Sequence, residues 1–159
     1  MATTMLDHLK SLHTSAIDAR NGYREALRDT EGKEAESKAI ESKAMTALFR
    51  DMAALHDSHA SELARELTRN NELADDGGSF MTTVHKTIMD VRSMFDGLDE
   101  SVLPGLIDGE KRNVGKYDAA LKAPELAANV SGLLARQRDS LQQKIGLMES
   151  ERASSERVS

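Results

Sequence analysis

Residues 45–67 read MTALFRDMAALHDSHASELAREL. Met45, Leu48, Met52, Leu55, His59, Leu63 and Leu67 recur at steps of three and four, which places them on one face of an α-helix. A half-buried strand would instead alternate apolar and polar residues at every second position. The apolar face carries polar residues within it: His59, and His56 one turn earlier.

The same reading extends in both directions. Upstream, Leu6, Leu9, His13, Ala16, Arg20, Tyr23 and Leu27 form a stripe that predicts a first helix over Thr4–Asp29, with a break at Thr30-Glu31-Gly32-Lys33. The charged stretch Glu34–Ala44 reads equally well as a solvated helical extension or as a connection. Downstream, Asn70-Asn71 and Asp75-Asp76-Gly77-Gly78 are stop signals, and Ser79 caps a helix bearing Phe80, Val84, Ile88, Val91, Phe95 and Leu98. A further helix begins near Asp99 and carries Leu103, Leu106, Ile107, Glu110, Val114, Tyr117 and Leu121, with Pro104 tolerated in its first turns. Lys122-Ala123-Pro124 makes a corner, and the last helix starts at Pro124 with Leu126, Val130, Leu133, Gln137, Leu141, Ile145 and Met148. This predicts one domain over residues 1–159, an ordered core of about 4–150 and a frayed polar tail over 151–159.

Composition agrees. With three Phe, two Tyr and no Trp, the core has to be built from Leu, Ile, Val, Ala and the eight Met, which suits helix packing better than a β-sandwich. Two prolines leave long stretches free to be helical. The absence of cysteine excludes disulfides, thiol catalysis and cysteine-ligated metals. A net charge of −6 without a basic cluster argues against a nucleic-acid partner. The start of the chain lacks the basic flank and apolar run of a secretory leader, and no run is long enough to span a bilayer. A cytoplasmic protein without membrane contact is therefore expected, as a monomer or small homo-oligomer.

Two helices joined by a short link, a crossover of about 28 residues with its own helix, and two more helices are ferritin-like connectivity. The fold class predicted is all-α: a ferritin-like four-helix bundle with an additional helix in the long crossover. A faint internal echo points the same way, since Tyr23-Arg24-Glu25-Ala26-Leu27 resembles Tyr117-Asp118-Ala119-Ala120-Leu121. Gly22-Tyr23-Arg24-Glu25-Ala26, Leu48-Phe49-Arg50 and Asp108-Gly109-Glu110, in that order, resemble the small bacterial ferritin-like bundles called domain of unknown function 2383. The resemblance covers residues 5–150 and implies a fold; it implies no activity.

Each main stripe is interrupted near its middle by a polar residue: Arg20, His59 with His56, Glu110 and Gln137. Ferritin-like di-iron proteins place a Glu on each of two helices and Glu-x-x-His on each of the other two. Here Glu110 alone matches an expected carboxylate and His59 alone an expected imidazole. Arg20 puts a cation where a ligand belongs, and Gln137 offers no anionic ligand. No catalytic residue and no bound cofactor are expected on this reading. Arg20 and Glu110 are expected to form an internal ion pair, in a non-enzymatic accessory, stress-related or interaction protein. The alternative is a metal-binding protein in which His56, His59, Glu62 and Glu110 hold a single divalent ion, iron or another, with redox activity. A third reading gives Met81, Met89 and Met94 of the crossover an adaptable surface for a protein partner. The serines near the histidines lack an exposed turn with oxyanion donors, and Asp75-Asp76-Gly77-Gly78 lacks the ligand series of a calcium loop.

Overall fold

A computed structural model describes residues 4–36, 40–72 and 102–158, with side chains over 4–29, 45–72 and 102–154. Among these residues there are four helices and no strand: α1 (Met5–Glu36), α2 (Ile40–Arg69), α3 (Leu103–Leu121) and α4 (Ala128–Val158). None of them is long and apolar enough to cross a membrane. The expected crossover helix over Ser79–Leu98 and its methionines lie outside the described residues.

Local chemistry sets the helix ends. At the start of α1, the Asp7 N–H donates to the Thr4 hydroxyl and the Thr4 N–H donates to the Asp7 carboxylate, each at 3.1 Å. This reciprocal cap satisfies donors that the first turn would leave open, and the backbone bond from Thr4 holds the Asp7 carboxyl below its usual value. The break expected at Thr30–Lys33 is absent, for α1 runs on to Glu36. A single Gly costs a helix about 1 kcal/mol, and the surrounding Glu, Lys and Ala are good helix formers. Glu34–Glu36 and Ile40–Ala44 of the open stretch are likewise helical.

The stop at Asn70-Asn71 holds. Asn71 is left-handed (φ 60°), the Asn71 N–H donates to the Thr68 carbonyl and the Glu72 N–H reaches back to the Leu67 carbonyl. Those two bonds are a Schellman termination with Asn in the position more often given to Gly. Pro104 is the second residue of α3, where its missing N–H costs nothing.

Two expected boundaries move. α4 begins at Ala128 and not at Pro124: Ala123 precedes a proline, which disfavours the helical region, and Glu125 is left-handed (φ 60°). The first α4 bond is Ser131 N–H to the Ala127 carbonyl at 2.8 Å. At the other end α4 continues through the expected frayed tail to Val158, where Glu149, Glu151, Arg152 and Ala153 favour helix.

The chain divides into two units: Met1–His13 with Glu62–Ala74 and Leu103–Ser159, and Thr14–Ser61 with Asp75–Val102. In the first, contacts of Glu62 with Gln137 and of Glu66 with Asn129 show that α2 and α4 run antiparallel. Tyr117 with Gln137 and Lys111 with Glu149 show the same for α3 and α4. The end of α2 and the whole of α3 therefore point the same way. Glu62 and Tyr117 share Gln137 and so lie level, which leaves Asn71 and Leu103 roughly 35 Å apart along the helix direction at 1.5 Å per residue. A tight turn cannot bridge that span.

The core of this unit is Leu9, Leu12, Leu63, Leu67, Leu103, Ile107, Val114, Leu134, Leu141, Ile145 and Met148, all buried. In the second unit α1 and α2 are antiparallel, as Arg20 with Asp57 and Tyr23 with Phe49 show, around buried Ile17, Tyr23, Met45, Phe49 and Met52. Each such side chain contributes about 1.5–3 kcal/mol of burial. Phe49, not Leu48, occupies the α2 core position, since Leu48 is only half-buried.

Candidate functional site

The first unit contains a chain of hydrogen bonds through its interior. Tyr117 of α3 donates its hydroxyl to Gln137 Oε1 of α4 at 2.7 Å, and Gln137 Nε2 donates to Glu62 Oε1 of α2 at 3.2 Å. The other Glu62 oxygen faces the Arg136 guanidinium at 3.8 Å. Tyr117, Gln137 and Glu110 are buried, and Glu62 is half-buried at the rim. An amide has one accepting and one donating end, a carboxylate only accepts, and the phenol here is the donor, so the chain has one direction. Burial first, then the Glu110 and Glu62 carboxylates, push the Tyr117 phenol well above its ordinary value, which keeps its donor proton in place.

One turn further along α2, buried Glu66 accepts from Asn129 Nδ2 at 2.8 Å and from Arg69 at 3.0 Å. The carboxylate thereby ties the last turn of α2 to the first turn of α4, a helix start where negative charge is favoured.

The second unit joins aromatic and charged side chains. The Tyr23 ring stacks on His56 with centroids 5.8 Å apart, and His59 meets His56 edge-on at 6.2 Å. Both imidazoles are buried. Arg20 donates to Asp57 at 3.1 Å and to Asn21 Oδ1 from two of its nitrogens, while Arg24 reaches the same Asp57 oxygen at 3.6 Å.

Of the residues expected to hold one divalent ion, His56 and His59 fall in the second unit and Glu62 and Glu110 in the first, with His59 and Glu62 one turn apart on α2. Arg20, expected to pair with Glu110 of the first unit, donates to Asp57 within the second. Among the described residues no three His, Asp or Glu side chains are grouped as a metal ion needs. His13 of the first stripe is also buried, in the first unit. Asp57, Glu66 and Tyr117 were missed as members of the polar layers. The available signal was the echo of Tyr23 in Tyr117.

That echo has a geometric counterpart. On α1 and α2, Tyr23 lies on His56 and the next residues, Arg24 and Asp57, are an ion pair. On α3 and α4, Tyr117 bonds Gln137 and the next residues, Asp118 and Arg138, are an ion pair. The plan is the same with the charges exchanged.

A family model described as Domain of unknown function (DUF2383) matches residues 4–123. No curated protein and no solved structure matches the chain.

Proposed function

The chain belongs to the family described as Domain of unknown function (DUF2383), and on that premise we propose that it is a non-enzymatic, ferritin-like helical bundle acting as an accessory, stress-related or interaction protein. Its polar layers serve as internal hydrogen-bond and ion-pair networks. The observation that carries this reading is the Gln137 amide, spent between Tyr117 and Glu62. Where a di-iron bundle needs an anion or an imidazole, this chain has a neutral group already engaged at both ends. Arg20 adds a fixed positive charge that finds its balance in Asp57. The donor set therefore does not fit a dinuclear centre. The parallel course of α2 and α3 supports ferritin-like connectivity, because it requires a long return between them.

A second reading has one observation in its favour: two buried imidazoles, His56 and His59, one turn apart on α2. With Glu62 and Glu110 they would make a mononuclear site for a divalent ion. Anaerobic calorimetry with ferrous ion separates the readings. Weak, non-stoichiometric heat is expected; two tightly bound ions per chain, rapidly oxidised in air, would restore an iron-oxidising enzyme, and one that His59→Ala abolishes would establish the mononuclear site.

A further inference from the structure

We infer that the opposite senses of the Arg24–Asp57 and Asp118–Arg138 ion pairs are a pairing code that tells each helix which partner to take. The two hairpins are built to one plan, Tyr against a polar side chain and an ion pair one residue on. A chain whose two hairpins share this pattern has to be specified against exchange of their helices as well as for the native pairing. The sense of the ion pair is one place where the two hairpins differ. If α1 took α4 as its hairpin partner in the same register, Arg24 would face Arg138. If α3 took α2, Asp118 would face Asp57. Both exchanges replace an attraction with a repulsion, and Arg20, which shares Asp57, adds a second cation to the first of them.

The exposure of these groups fits that role better than a role in stability. Side chains of Arg24 and Asp57 are 50% and 46% exposed, those of Arg138 and Asp118 31% and 42%. At such exposure an ion pair stabilises its own helices little. Discrimination depends instead on the difference between right and wrong partners, and like charges brought together contribute as much to it as the attraction does. The same logic extends to a second copy of the chain: a foreign α2 would satisfy α1, whereas a foreign α4 would not.

The test exchanges the signs in one hairpin only. Asp118→Arg with Arg138→Asp keeps an ion pair between α3 and α4 but gives both hairpins the same sense. The variant should melt close to wild type. After refolding from urea, mispaired or helix-exchanged species should be about tenfold more abundant relative to native than in wild type, from several exposed charge contacts changing sign together. They are read as a second set of amide resonances for residues 117–118 and 137–138 and as dimer in size exclusion with light scattering. Asp118→Glu with Arg138→Lys, which keeps the sense, should behave as wild type. Refolding of the exchanged variant to a single native species would overturn the code. Should that variant not fold, Asp118→Asn with Arg138→Gln decides: a smaller rise of about threefold supports the code, and no rise overturns it.

Discussion

At the scale of single residues, the account rests on Tyr117 more than on any ionised group. Its hydroxyl is the donor that orients Gln137, and removing it leaves a buried amide oxygen without that bond. Tyr117→Phe should therefore cost about 1–3 kcal/mol in urea unfolding at neutral pH. The same substitution should change the alkaline limb. Because the folded phenol titrates above its ordinary value of 10.0, its contribution is complete below pH 10.0 and is lost as pH rises towards the folded value. Tyr117→Phe should flatten that part of the decline, and an unchanged alkaline limb would speak against a shifted phenol. Arg20 makes a second case. Its partner Asp57 is 46% exposed, so a double-mutant cycle of Arg20→Met and Asp57→Asn should give a coupling of about 0.5–1 kcal/mol, not the 3–5 kcal/mol of a fully buried pair. A coupling near zero would remove this ion pair from the account.

At the scale of helices, three glycines stand where nothing requires them. Gly115 of α3 and Gly132 and Gly146 of α4 are exposed, and a Cβ added at any of them meets no atom within 4 Å. Ala at each should stabilise by about 0.5–1 kcal/mol through backbone entropy alone, and the triple variant should melt about 5–10 °C higher. A lower melting temperature would mean that these positions pack against something. The helices themselves were legible in the sequence, because stripes such as Met45–Leu67 repeat at a period that only a helix satisfies. Their ends were less so. Gly32 and the polar run after Ser150 look like terminators, yet neither contains a feature that forbids a helix. The turn after Pro124 depends on a left-handed Glu125, a conformation that its residue type does not announce. The candidate layer was half legible for a related reason. His56, His59, Glu110 and Gln137 betray themselves by interrupting apolar stripes, and all four are buried. Tyr117 reads as an ordinary core aromatic, and Asp57 as a surface acid, until inter-helix register brings each to its partner.

At the scale of the whole molecule, the question is whether the bundle carries an inorganic ion or only its own side chains. Directional bonds from Tyr117 through Gln137 to Glu62, and the pairing of Arg20 with Asp57, satisfy polar groups that a metal-binding bundle would leave for its ions. Native mass spectrometry of the full chain, expressed with added iron, manganese and zinc and purified without chelators, tests this most directly. The account predicts the mass of the bare polypeptide, with any metal adducts sub-stoichiometric and removed by gentle activation. A dominant species carrying one or two metal ions per chain, surviving that activation and lost in His56→Ala or His59→Ala, would contradict it.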